Sequence, residues 1–320
     1  MITQYKDMYK DIEELLTFLN SCNIDASLKS HLENDYLSAT RYVEDYYNKK
    51  SHALSNEGKL ALGGLHELYK WIWSVKNCPE FKILIPHLEM LSQSATRINS
   101  EVPMINPVTG KQDDKSNKLI ETLLAMFAVR YGKNIDVDDP IISSNGKNPD
   151  IIFTYNDNRI AFACKTLRGK STKTLLDNIN SASKQISRAQ CDYGYVAINM
   201  MNIVPHTKIS NQIFACKEEP HKLLNEFIQE LYSSLLKESS EEITQILKAK
   251  QIRPIILNFM HSNTNIASSI GSISTMLKIT CASPLSSTAK FDKDIFLFNE
   301  INSFIHNLSQ QPNQYYTDKL

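Results

Sequence analysis

The apolar residues of this 320-residue chain change their period partway along, and that change limits what the chain can fold into. Over residues 4 to 95 they recur at helical spacing: Ile12, Leu15, Leu16 and Leu19, then Leu28, Leu32, Tyr36, Leu37 and Val43, then Leu65, Leu68, Tyr69 and Ile72. Such stripes are buried by packing on one another, so residues 1–100 read as an all-α N-terminal domain. A polar stretch with prolines and a Pro-Val-Thr-Gly turn signal follows from Ser92 to Ser116 and marks a domain boundary.

The rhythm then alternates. A helix is expected from Lys118 to Arg130, with Leu119, Leu123, Met126 and Phe127 on its buried side. Two β-rich runs, Asp150 to Tyr155 and Arg159 to Lys165, are joined by the turn-forming Asn156-Asp157-Asn158 and read as a hairpin. Next come a helix from Thr172 to Ala189, a strand from Gly194 to Met200, helices at Leu223–Leu236 and Glu242–Lys250, a strand at Ile255–Phe259, and a final helix around Asp294–Leu308. Asn263 to Ser287 is open to loop, strand or short helix. The alternation predicts an α/β domain over residues 101–320, built as a mixed sheet flanked by helices.

Composition narrows the function classes. Six scattered cysteines, with no CxxC pair and no cysteine–histidine cluster, give no zinc site and suit a reducing cytoplasm. No charged-then-apolar segment opens the chain and no apolar run is long enough to span a bilayer, so a cytoplasmic protein without membrane association is expected. Basic and acidic residues balance at 35 each, so any nucleic-acid partner must be held by a local patch. One such patch exists: Arg159, Lys165, Arg168, Lys170, Lys173, Lys184 and Arg188 face a single acid, Asp177, between residues 159 and 190. A solvated basic helix face gives the same pattern, and only the neighbouring residues raise its interest.

Those neighbours are in the hairpin. Alternation along its second strand puts Ile160, Phe162 and Cys164 on one face, expected to be core. Arg159, Ala161, Ala163 and Lys165 fall on the other, expected to border a solvent-facing cleft. Lys165 ends this strand beside a partner that begins at Asp150, so a carboxylate and an ammonium can converge. Taken singly, a Pro-Asp pair is a common turn and a strand-end lysine a common edge residue. His66-Glu67 lacks the second histidine of a zinc-protease helix, His206 and His261 stand alone, and no phosphate loop or nucleophile elbow is present. Tyr46, Tyr47, Trp71 and Trp73 read as core and interface.

Pro149-Asp150, a short hairpin and Ala163-Cys164-Lys165 together resemble the PD-(D/E)XK, restriction-endonuclease-like nuclease superfamily, over roughly Lys118 to Asn199. The resemblance implies that fold, and metal-dependent hydrolysis of phosphodiester bonds with Mg2+ or Mn2+, of DNA before RNA, in restriction or another anti-phage defence setting. It implies that Asp150 and a Glu or Asp at position 163 hold the cation and that Lys165 assists the attacking water. By the same likeness Glu121 on the leading helix supports the metal, and Gln185 on the following helix positions the cation shell or the scissile phosphate. Arg168, Lys170, Lys173, Lys184 and Arg188 would then contact nucleic acid. A protein partner, or a second copy bound through the N-terminal helices, is the expected means of control.

Ala163 departs from the pattern, because a methyl group cannot ligate a cation. Three explanations compete: the residue has been deliberately changed from Glu or Asp to trap an inactive form, the protein is naturally inactive, or the second ligand comes from another element. Retention of Asp150, Lys165, Glu121 and Gln185 favours the first. The alternative function is a catalytically inactive nuclease-fold module that binds nucleic acid or assembles a complex.

Overall fold

The computed structural model describes residues 4–26, 28–50, 55–94, 96–106, 108–113, 115–140, 147–249, 251–269, 271–286 and 292–306. The chain divides into two compact units. The first comprises Met1–Arg97, Pro103–Tyr131 and Asn299–Leu320; the second comprises Ile98–Val102 and Gly132–Phe298.

The first unit is built from the helices α1 (Tyr5–Ser21), α2 (His31–Tyr47), α3 (Asn56–Val75), α4 (Ile85–Ser92) and α5 (Leu119–Tyr131). Ser30 and Ser55 start α2 and α3 by accepting hydrogen bonds from the backbone N–H of Glu33 and Gly58, which satisfies donors that a helix start leaves free. The stripes are buried in part: Ile12, Leu15 and Leu19 of α1, Leu32, Ala39 and Val43 of α2, and Leu62, Leu65, Leu68 and Ile72 of α3 are buried, whereas Leu28 and Leu37, read into the second stripe, are exposed. Helix α5 is apolar almost all round, and every residue from Leu119 to Val129 is buried, more than the one-sided stripe read from the sequence.

The second unit is α/β, with one mixed seven-stranded sheet. Its strands are β1 (Lys133–Val137), β2 (Ile151–Tyr155), β3 (Asn158–Thr166), β4 (Tyr193–Asn199), β5 (Ile213–Phe214), β6 (Ile252–Ser268) and β7 (Gly271–Pro284). The helices between them are α6 (Thr172–Ile186), α7 (His206–Ser210), α8 (Glu218–Glu238) and α9 (Ser240–Leu247), and α10 (Asp292–His306) follows the last strand. Strands β1, β2 and β3 form an antiparallel meander. Helix α6 then carries the chain over so that β4 runs parallel to β3. Strand β6 lies parallel to β4 and β5 and antiparallel to β7.

The meander turns tightly because Asn156 and Asp157 both take positive φ, 45° and 61°, the backbone that a two-residue hairpin turn needs and that these residue types tolerate. Both sheet faces are buried at β3. One carries a row of rings, Phe153, Phe162, Tyr195 and Phe298, with successive centroids 6.0, 5.4 and 5.1 Å apart. The other carries aliphatic side chains, including Ala163, Val196, Ile198 and Ile256, covered by Leu175, Ile179, Ala182 and Ile186 of α6 and by Ile228 and Leu235 of α8. No helix among the described residues is long and apolar enough to cross a membrane.

Candidate active site

Position 150 is fixed from both sides by backbone pairing. The Asp150 N–H donates to the Phe162 carbonyl at 3.0 Å, and the Asp150 carbonyl accepts from the Asp138 N–H at 2.9 Å. The last paired residues of the hairpin are Ile151 and Phe162, and Asp150, just before β2, also bonds to Phe162, so the ladder stops short of Ala163. The Asp150 carboxylate is only 6% exposed and accepts a hydrogen bond of 2.6 Å from the Cys164 N–H.

Lys165 follows Ala163 on the same face two residues on, at the end of β3. Its ammonium donates to Gln185 Oε1 on α6. The other end of that amide, Nε2, donates to the Asn148 carbonyl at 2.8 Å. Gln185 thus links the end of β3 to the segment leading into β2, and it is 3% exposed. Along the same helix Ser181 is exposed, as is Arg188 just beyond its end.

The expectation of a solvent-facing cleft on this face of β3 is corrected. Ala161 and Ala163 are fully buried, because α6 lies over them and contributes the Leu175-to-Ile186 stripe to the same apolar cluster. Cys164, expected in the core, is half-buried. The polar groups Asp150, Lys165 and Gln185 therefore gather at the margin of an apolar cluster.

Glu121 belongs to the first unit. There its buried carboxylate accepts from Lys118 Nζ at 2.6 Å and lies 3.1 Å from His87 Nε2. Of the basic residues, Lys173, Lys184 and Arg188 are exposed and recur at positions that share one side of α6 and its extension, with Asp177 and Ser181 between them. Arg168 is half-buried. Lys170 is exposed and lines an open cleft of about 400 Å³ with Thr172, Phe227, Glu230 and Glu238, so carboxylates share its surroundings.

A hard divalent cation takes several oxygen ligands. Among the described residues no three Asp, Glu, His or Cys side chains are grouped to hold one. Asp150 supplies one carboxylate beside β3 and Ala163 only a methyl group, so the residues present do not fit a Mg2+ or Mn2+ site. Two participants escaped the sequence reading, the Asn148 carbonyl and the Cys164 N–H, because backbone groups leave no mark in residue type. No protein-family model matches the chain, and comparisons with curated proteins and with solved structures return no match.

Proposed function

We propose that the second unit is a restriction-endonuclease-like core of the PD-(D/E)XK kind, in an inactive form because Ala163 occupies the second acidic position. The observation that carries this reading is the gathering of Asp150, position 163, Lys165 and Gln185 around the end of one hairpin. The order of meander, crossover helix and parallel strand over Lys133 to Asn199 agrees with the layout that the resemblance implies, while its leading helix, α5, belongs to the first unit.

In this reading Asp150 supplies a rigid carboxylate, Lys165 a positive charge beside the phosphodiester, and the exposed Lys173, Lys184 and Arg188 an attraction for the nucleic-acid backbone. Glu121 keeps its supporting role through the resemblance alone. DNA is the proposed substrate ahead of RNA, and restriction or anti-phage defence the proposed setting, with a protein partner or second copy as control. The test is cleavage of plasmid, linear duplex, single-stranded DNA and RNA by this chain and by Ala163→Glu, with Mg2+, Mn2+ or EDTA. Cleavage by the variant alone, and only with metal, supports the proposal.

A second reading, a nucleic-acid-binding module without catalysis, is favoured by the full burial of Ala163 within the apolar cluster, where a methyl group suits its surroundings. Binding by the chain together with failure of Ala163→Glu to cleave any of the four substrates would select it.

A further inference from the structure

We propose that Gln185 is a positioning residue for Lys165, an inference that rests on the nuclease reading for its purpose but not for its geometry. The resemblance gives Gln185 a role toward the cation shell or the phosphate. In the structure both ends of its amide are already engaged within the protein. The Asn148 carbonyl can only accept, so it takes the NH2 end of the amide; the Lys165 ammonium can only donate, so it takes the oxygen. The orientation of the amide is thereby fixed by two partners of opposite character. At 3% exposure, Gln185 is withdrawn from solvent.

Three segments meet at this amide: the end of β3, the last turn of α6 and the residues leading to Pro149-Asp150. A lysine side chain has four rotatable bonds and would otherwise sample many positions. Gln185 selects the position in which the ammonium lies by the lead-in to Asp150. A neutral acceptor does so without adding charge, so the lysine keeps its positive charge for an incoming anion.

Amine acylation followed by peptide mapping tests this without nucleic acid or metal. The rate at Lys165 is measured against Lys173 and Lys184, which are exposed on α6 and serve as internal references. In Gln185→Met the relative rate at Lys165 rises about tenfold, as loss of a hydrogen bond to a charged group allows. Gln185→Asn, one methylene too short, gives the same rise and provides the comparison if the methionine variant does not fold. Gln185→Glu, which keeps an acceptor at the same reach and pairs the ammonium with a carboxylate while losing the bond to the Asn148 carbonyl, does not share the rise. An unchanged Lys165 rate in Met and Asn variants that fold, or a Glu variant as fast as they are, would overturn the proposal. A chain that never cleaves nucleic acid still returns this answer, so the two readings fail separately.

Discussion

The Asp150 carboxylate accepts the backbone N–H of Cys164 at 2.6 Å, next along β3 from the buried Ala163. A carboxylate introduced at position 163 enters an apolar cluster with that acid close by, and both facts penalise it in the absence of a cation. Ala163→Glu should therefore lower stability by about 2–4 kcal/mol in EDTA. Millimolar Mn2+ should return part of that loss by binding the folded state. Thermal unfolding with and without the ion measures both; a variant as stable as the parent in EDTA and indifferent to Mn2+ contradicts the placement.

In the Ala163→Glu background, Asp150→Asn and Lys165→Ala should each reduce the cleavage rate about 100-fold or more, since each removes charge at the reacting phosphate. Plasmid nicking rates report this, with far-UV circular dichroism to establish folding. Retention of the parent rate by either double variant removes that residue from the site.

Charge reversal on the exposed face of α6 should weaken nucleic-acid binding and flatten its salt dependence. Lys184→Glu and Arg188→Glu should each reduce the slope of log K against log salt by about one for duplex DNA. Lys222→Glu, on the exposed side of α8, is the control and should change neither quantity. Fluorescence anisotropy over a salt series measures the slopes; equal slopes in all three variants exclude the face.

Much of the second unit was legible because its local chemistry agrees with its fold. The Asn156-Asp157 pair announces the hairpin and takes the positive φ values it needs. The apolar stripe Leu175, Ile179, Ala182 and Ile186 announces α6, and all four are buried. The burial of both faces of β3 was not legible, since Ala161 and Ala163 are too small to declare a core face. Strand β1 is short and mostly polar, with Ile135 and Val137 alternating among Lys133, Asn134 and Asp136, too brief a pattern to announce a strand. The long β6–β7 pair hid for another reason: His261, Ser262, Asn263 and Thr264 are buried in β6, where polar residues read as loop. At the candidate site, residue types were readable and backbone partners were not.

His206 gives the second unit an acid-sensitive contact. Its Nε2 donates to the Met201 carbonyl at 2.9 Å, which leaves Nδ1 to accept from Ser262 Oγ at 3.0 Å in the neutral ring. Burial holds the imidazole below its ordinary value of 6.5, against the opposing effects of the Met201 carbonyl and Glu101. A depressed value means that the unfolded chain takes up the proton first. This contribution to stability is complete above pH 6.5 and is lost as pH falls through the folded-state value. His206→Asn should make the urea midpoint less sensitive to pH between 6.5 and 5; an acid limb unchanged by the substitution would rule the contact out as its source.

Asp294 anchors the start of α10 to the sheet. Its carboxylate accepts from Arg253 through Nε at 2.9 Å and Nη2 at 2.6 Å, and from the buried Tyr195 hydroxyl at 2.5 Å. Burial and then the hydrogen bond to Asp294 push the Tyr195 phenol up. Asp294→Ala leaves three donors on two residues without this acceptor and should cost about 3 kcal/mol. A urea midpoint within error of the parent would contradict this account of the anchor.

If position 163 is the missing cation ligand, a carboxylate placed there restores cleavage. The rate of supercoiled-plasmid cleavage by Ala163→Glu against the unsubstituted chain, in Mn2+ and in EDTA, tests this first. The expected result is cleavage by the variant in Mn2+, none by it in EDTA, and none by the unsubstituted chain in either. Equal inactivity of a folded Ala163→Glu on plasmid, linear duplex, single-stranded DNA and RNA, or metal-dependent cleavage by the unsubstituted chain, would contradict it.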